Sequence, residues 1–265
     1  MRPELDAALA AVAAAQTAIA RGGSDQITSK GGRDLVTAAD VAAEDAIRRK
    51  LLQCYPEYPV VGEERGGEPP AGGGPYWLVD PICGTRLFAS GIPLYAINVT
   101  LVEGGQAVAS AVGDGSNGKI YVTERGMGAW AVTDDGRVPI RATDSEPILW
   151  VATGSTKSGD WKYCEAGFVG AALLADRWVV WMVGTTLALA YVAAGRIAAY
   201  MQFIGSGPLH TAAGCLLASE AGATVTDLAG EPMTLASGAL LAAATPELHR
   251  DLLELVDESR ASAGA

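Results

Sequence analysis

The spacing of apolar positions changes several times along the chain, and each change marks an element. Residues 4–21 carry Ala, Leu, Val and Ile at most positions, and Arg21-Gly22-Gly23 stops the run, so the pattern predicts an amphipathic helix. A Gly-rich loop is expected from there to Gly32. A second helix is predicted over 40–53, bearing Glu44, Asp45, Arg48, Arg49 and Lys50. Tyr58-Pro59-Val60-Val61-Gly62 reads as a short strand running into Glu63-Glu64, and the Gly- and Pro-rich stretch 65–75 as a loop. Strands are predicted at 76–80, 95–103, 106–114 and 118–123, the last three alternating as antiparallel hairpins do. The second half predicts helices at 166–175, 187–194, 209–221 and 246–258, with strands at 196–203, 224–226 and 240–243. No solenoid repeat or long linker interrupts the order, which fits layered α and β elements.

Composition narrows the class. A chain of 265 residues with 49% hydrophobic residues excludes disorder and can fill one large core or two packed subdomains. A net charge of −11 argues against nucleic acid as a partner. It does not argue against a small phosphorylated ligand, because a bound metal ion reverses the field locally. The Ala-rich run 5–20 is too short and too weakly apolar to span a membrane, and Met1–Asp6 lacks the regions of a signal peptide. Cys54, Cys83, Cys164 and Cys215 form no CxxC pair, so a reducing, cytoplasmic setting is expected. His249 is expected on the surface of the last helix, and Cys215 inside the helix that begins near His210.

The chemistry concentrates in Trp77-Leu78-Val79-Asp80-Pro81-Ile82-Cys83-Gly84-Thr85, a buried strand that ends on an acid and breaks at Pro and Gly. Four other motifs flank it: Asp34-Leu35-Val36-Thr37-Ala38-Ala39-Asp40, Gly62-Glu63-Glu64, Gly184-Thr185 and Ala212-Ala213-Gly214. Five motifs in this order across about 180 residues are far more specific than any one of them. Together they resemble the inositol monophosphatase family. The resemblance implies an α/β fold, a layered α/β/α/β sandwich. It also implies an N-terminal α+β subdomain over 1–145, a C-terminal α/β subdomain over 146–265 carrying His210, and a homodimer.

In the family, Glu, Asp and a backbone carbonyl hold one Mg²⁺, and a Thr with an early Asp orients a water on it. The matching positions are Glu63, Asp80, the carbonyl of Ile82, Thr85 and Asp40, and all are kept. Two of the three aspartates that hold a second Mg²⁺ are not. Cys83 replaces the second acid of the central loop. His210 replaces the acid of the late Trp-Asp-x-Ala-Ala-Gly motif, here Leu209-His210-Thr211-Ala212-Ala213-Gly214. The substrate-binding positions are Gly84, Arg86, Trp181, Gly184, Thr185 and Phe203. Trp181 stands where the family has an Arg, and Phe203 falls near a hydroxyl-binding acid, a set more apolar than a polyol phosphate requires.

Cys83 lies at a strand-to-helix turn, where amides and the helix dipole favour a thiolate, and His210 at a helix start, which favours a neutral imidazole. Two residues that share one ion in the family should approach within about 4–6 Å. The expectation from these residues is therefore a cofactor-independent enzyme of small-molecule, specialised metabolism. In it Cys83 is the nucleophile or proton-transfer group, His210 its base, and Asp80, Asp40 or Glu63 orients the imidazole. Thr85 with the amides of Gly84 and Thr85 forms an oxyanion site, for acyl transfer, hydrolysis or cyclisation. The first alternative is a Mg²⁺-dependent sugar or inositol phosphate phosphatase with one retained metal site. A non-catalytic binding protein on the same fold is the second. The same donors could also be rebuilt as a Zn²⁺ site, which takes S, N and O ligands.

Overall fold

The computed structural model describes residues 1–22, 27–31, 34–152, 161–203 and 205–263. Helix α1 (Pro3–Gly22) buries Leu5, Ala8, Ala11, Val12, Ala15 and Ile19, a stripe of helical period. Strands β1 (Ile27–Gly31) and β2 (Asp34–Thr37) pair as an antiparallel hairpin. A loop was expected there; the β-prone pairs Ile27-Thr28 and Leu35-Val36 outweigh the glycines, and Gly32 lies outside the described residues. Helix α2 (Ala38–Cys54) follows, capped by Thr37.

Seven strands then form one sheet in sequential order: β3 (Val60–Gly62), β4 (Tyr76–Cys83), β5 (Ala96–Glu103), β6 (Gln106–Asp114), β7 (Ile120–Glu124), β8 (Gly128–Thr133) and β9 (Gly136–Pro139). A five-residue helix, α3 (Thr85–Ala89), leaves β4. Only the β3–β4 pair is parallel. Strands β8 and β9 escape a periodicity reading because they are short, half-exposed edge strands with no clean alternation.

The second half is built from β10 (Ile148–Ala152), α4 (Trp161–Leu174), β11 (Val179–Met182), α5 (Leu187–Ala193), β12 (Ala199–Gln202), α6 (Pro208–Glu220), β13 (Thr224–Thr226), β14 (Leu240–Ala243) and α7 (Pro246–Ala263). Its strands form a mixed five-stranded sheet ordered β11-β10-β12-β14-β13.

Side-chain alternation shows the layering. In the first sheet, Trp77, Val79, Ile97, Val99, Leu101 and Val122 pack under α1 and α2. Their neighbours Ala96, Val112 and Tyr121 face α5 and α6. In the second sheet, Trp150, Tyr200, Leu240 and Ala242 face the same two helices. Leu149, Val151, Met201 and Leu241 face α4 and α7 on the far side. The order is thus the expected α/β/α/β, with α4 and α7 added as an outer layer. Both sheets are covered on both faces, so their central strands read as near-continuous apolar runs. The middle layer needs close helix contact: a Cβ at Gly214 would lie 2.7 Å from the Leu189 side chain, which gives the Ala212-Ala213-Gly214 motif a packing reason. Among the described residues, no helix is long and apolar enough to cross a membrane.

Candidate active site

The site begins with an irregularity in β4. Asp80 pairs with Asn98 and Cys83 with Ala96, and the register shifts between them. Three steps on β4 therefore oppose two on β5, a bulge of one extra residue at Pro81-Ile82. Pro81 is tolerated there because a bulge frees a residue from the ladder. Without the bulge, Asp80 and Cys83 would point to opposite faces of the sheet; with it, both face α6. Next to Cys83, Gly84 adopts φ 121°, and a Cβ there would meet the Leu94 carbonyl at 2.9 Å. Glycine is what lets the chain turn from β4 into α3.

Helix α6 starts at Pro208, so His210 sits in its first turn. Its Nδ1 lies 2.7 Å from Asp80 Oδ2 and 3.9 Å from Cys83 Sγ. The sulfur also accepts a hydrogen bond from the Thr186 hydroxyl at 2.9 Å. Asn98 Nδ2 donates to Thr186 Oγ1 at 3.3 Å and to the His210 carbonyl at 3.2 Å, tying the first turns of α5 and α6 to β5. Thr185 donates to the Cys83 carbonyl at 2.8 Å and accepts from Leu187 N–H, so the Gly184-Thr185 motif starts α5 and pins the end of β4.

The electrostatics differ from the sequence expectation. Burial, followed by the charge of Asp80, pushes the Cys83 thiol above its ordinary value, against the pull of His210 and Thr186. Burial works against an imidazolium at His210, but the charge and hydrogen bond of Asp80, with Cys83, hold its pKa well above the usual one. Both shifts run the same way, toward retention of the proton on the thiol and on the imidazole. The helix-start argument for a thiolate and a neutral base is outweighed by one buried carboxylate, and α3 is too short to supply a strong dipole.

The other half of the site lies where β3 meets β4. Gly62 ends β3 and pairs with Val79 in parallel register, so Glu63 leaves β3 at the level of Asp80 on the neighbouring strand. Thr85 Oγ1 lies 3.0 Å from the Ile82 carbonyl and 3.2 Å from Asp40 Oδ1. Asp40 also closes the capping box of α2 with Thr37. Asp40 and Asp80 are both fully buried. Burial raises the Asp40 pKa most, Thr37 and Thr85 oppose this, and the charge of Asp80 raises it further. Among the described residues, no lysine or arginine pairs with either carboxylate. Two buried, mutually repelling carboxylates beside a backbone carbonyl are an environment that an oxygen-seeking divalent cation satisfies. The Asp80–Cys83–His210 side offers sulfur and nitrogen and does not suit a second Mg²⁺.

The substrate-binding candidates separate in space. Arg86 and Gly184 are exposed, while Thr185 is buried with its hydroxyl committed to Cys83 and Leu187. Trp181 is 42% exposed on the edge strand β11, with its ring edge-on to Trp150 at 5.7 Å. Phe203 lies in the core. It is 1% exposed and packs on Phe168 at 5.3 Å, on the side of β12 facing α4 and α7. His249, expected at the surface, is also buried, with Nε2 2.8 Å from Thr226 Oγ1.

Three residues that organise the site escaped the sequence reading: Asn98, Thr186 and Glu44. Asn98 is the polar exception in Ala96-Ile97-Asn98-Val99, a signal that alternation alone could have flagged. Glu44 is fully buried. It accepts from the backbone N–H of Glu64 at 2.6 Å and of Arg65 at 3.0 Å, and from Arg48 Nε at 2.7 Å, fixing the loop that carries Glu63. Gly62 is needed beneath it, since a Cβ would lie 2.2 Å from Glu44 Oε1.

The layered α/β/α/β sandwich, with Asp80, Thr85 and Asp40 gathered around the Gly84 turn, is the arrangement that the five motifs imply. The inositol monophosphatase family profile matches residues 1–261, and the chain belongs to that family. It is 34% identical over 226 residues to inositol-1-monophosphatase SuhB of Mycobacterium tuberculosis, covering 83% of this chain and 77% of that protein. It is 30% identical over 271 residues to the protein named Nus factor SuhB of Vibrio cholerae, covering 99% of each. The crystal structure of extragenic suppressor protein SuhB from Bartonella henselae superposes with a TM-score of 0.84 at 25% identity, over 96% of this chain and 98% of that one. These relatives overturn the acyl-transfer expectation, and the buried, proton-retaining Cys83 thiol supplies the physical reason. The expectation of no cofactor falls with it, because hydrolysis in this family depends on Mg²⁺.

Proposed function

We propose that the protein is a Mg²⁺-dependent phosphomonoesterase acting on an inositol or related sugar phosphate, with one hard-cation site. The observation that carries this reading is the Thr85 hydroxyl set between Asp40 and the Ile82 carbonyl, beside the strand end that bears Asp80. The names of relatives at 33–34% identity, inositol-1-monophosphatases, support it. Glu63, Asp80 and the Ile82 carbonyl would hold the ion. When bound, Mg²⁺ supplies the charge that acidifies a water and neutralises phosphoryl oxygens.

The chain's own residues supply the rest. Thr85 Oγ1 orients the attacking water, and Asp40 Oδ1 is the proton acceptor behind it, its basicity raised by burial and by Asp80. On the opposite side, the His210 imidazolium carries positive charge toward the leaving oxygen while Asp80 holds it in place. Arg86, one residue beyond Thr85, is assigned to the phosphate and exposed Trp181 to the rim. In this reading the 1–145 subdomain holds the ion and the 146–265 subdomain closes the site with His210.

The test is phosphate release from inositol 1-phosphate and a panel of sugar phosphates across a Mg²⁺ titration. The expected turnover is on the order of 1–1000 per second on the preferred substrate, abolished by chelator and strongly reduced in Glu63→Gln. A folded protein that releases no phosphate from any of them at any Mg²⁺ concentration would refute this function.

A further inference from the structure

We propose that Asp80, Cys83 and His210 form a binding site for a borderline-soft divalent cation of the zinc type. It adds a second ion of different chemistry to the phosphatase reading and rests on that reading only for the ion's role in turnover. One atom from each residue, a carboxylate oxygen, Sγ and a ring nitrogen, lies within 4.8 Å of the other two. Magnesium seeks six oxygens in a near-ideal octahedron, and this set cannot provide them. Zinc takes S, N and O together, with three protein ligands and one open position in its catalytic sites.

The distances fit a small adjustment. Zn–S and Zn–N bonds of about 2.3 and 2.0–2.1 Å in a tetrahedron separate the two donors by about 3.6 Å. Cys83 Sγ and His210 Nδ1 are 3.9 Å apart. The Nδ1–Oδ2 pair, now a 2.7 Å hydrogen bond, would open to about 3.3 Å. His210 Nδ1 faces both other donors, so one nitrogen serves the ion without a ring flip.

A supporting shell is already built. Asn98 donates to Thr186 Oγ1, which leaves the Thr186 hydroxyl proton directed at Cys83 Sγ. A hydrogen bond aimed at the sulfur is what steadies a metal thiolate, and outer contacts of this kind are worth 10- to 100-fold in affinity, to order of magnitude. Asn98 also holds the His210 carbonyl, and Ile82 N–H donates to Asp80 Oδ1 at 3.2 Å. The other Asp80 oxygen is the one presented to the cluster. Access comes from one side: the His210 side chain is 21% exposed while that of Asp80 is wholly buried. Binding would release the thiol proton and the imidazolium proton to solvent, leaving one thiolate, one carboxylate and a neutral imidazole around the dication, which would then replace the His210 imidazolium as the electrophilic group facing the leaving oxygen.

The experiment is titration of chelator-stripped protein with Co²⁺, a spectroscopic stand-in for Zn²⁺. The expected result is one equivalent bound, a thiolate-to-cobalt charge-transfer band in the near ultraviolet, and intense tetrahedral visible bands displaced by Zn²⁺. Cys83→Ser should erase the charge-transfer band. Thr186→Val, whose shape is conserved, should weaken Zn²⁺ binding by roughly 10- to 100-fold while the fold persists. A band that survives Cys83→Ser comes from another thiol, such as exposed Cys54, and overturns the proposal. So does a weak octahedral spectrum on wild-type protein, which needs no variant to fold. Phosphatase activity with Mg²⁺ and no thiolate band would sink this site alone; the band without activity would sink the phosphatase reading alone.

Discussion

Asp80 and Cys83, three residues apart on β4, project from the same face of the sheet because the bulge at Pro81-Ile82 removes one alternation. With His210 opposite, three donors converge on one point, and that point decides ion preference. The double change Cys83→Asp with His210→Asp should produce a second Mg²⁺ site and abolish preference for a soft ion. Either single change leaves one sulfur or nitrogen in the set and should gain far less. The two effects should couple by about 1 kcal/mol or more, because both residues bind the same ion. Calorimetric Mg²⁺ titrations of wild type, both singles and the double give that coupling directly. Strict additivity would mean that the two positions do not share an ion.

Glu44 supports the site at a distance from the reacting groups. Its buried carboxylate receives two backbone N–H groups from the Glu64-Arg65 turn and the Arg48 guanidinium. Glu44→Ala leaves these donors without their acceptor and should cost about 3 kcal/mol, the scale for breaking a buried pair. It should also weaken Mg²⁺ binding, because Glu63 rides on the same turn. Denaturant unfolding and a Mg²⁺ titration on Glu44→Ala and Gly62→Ala test both effects. Unchanged Mg²⁺ affinity in a destabilised but folded variant would show that Glu63 does not depend on this anchor.

The sequence makes the site easier to read than its surroundings. Asp80, Cys83 and Thr85 share one short loop, and backbone geometry dictates its Pro and Gly, so their grouping was visible without a structure. His210 enters only through the family pattern, since nothing local in α6 connects it to Asp80. The directions of the Cys83 and His210 shifts depend on burial and on a single facing carboxylate, which no local pattern carries. Phe203 shows a related limit. A position matched along the chain fixes the residue number, but the two faces of β12 diverge. Met201 and Phe203 go to the α4–α7 side while Tyr200 faces the middle layer.

That assignment of Phe203 to the core separates stability from binding. Phe203→Ala should cost about 3–5 kcal/mol, as large-to-small core changes do, with little change in KM for the protein that remains folded. Trp181→Ala, at an exposed edge, should behave oppositely, with stability nearly kept and KM raised. Thermal unfolding alongside steady-state kinetics distinguishes them. A Phe203→Leu variant with normal Tm and a several-fold higher KM would return Phe203 to the binding site.

His249 gives the fold a pH dependence of definite sign. Burial lowers its pKa below the unfolded value of about 6.5, and its Nε2 meets Thr226 in a neutral hydrogen bond. Protons bind the unfolded chain more readily, so this contribution is complete above about pH 6.5 and is lost as pH falls through the folded value. His210 has the opposite shift. Its contribution is complete below about pH 6.5, so it adds no slope on the acid side. The decline of Tm between about pH 6.5 and 5 should therefore flatten in His249→Gln relative to wild type. Parallel curves would show that His249 protonates equally well in the folded protein.

Asp40 has two jobs that substitutions can pull apart. It caps α2 with Thr37, and it receives the Thr85 hydroxyl. Thr37→Ala removes the cap and should cost about 1 kcal/mol while leaving turnover within a few-fold. Asp40→Asn keeps an oxygen for the cap but loses the charge, so stability should hold or rise, because a buried carboxylate no longer faces Asp80. Turnover should nevertheless fall by roughly 10²–10⁴-fold, the usual scale for losing a general base. Thr85→Ser should retain much of the rate and Thr85→Val little, since only the hydroxyl can bridge Asp40 and the Ile82 carbonyl. The decisive comparison is Tm against kcat for Asp40→Asn. A fall in both together would make Asp40 a structural cap, and a fall in kcat alone would make it the proton acceptor.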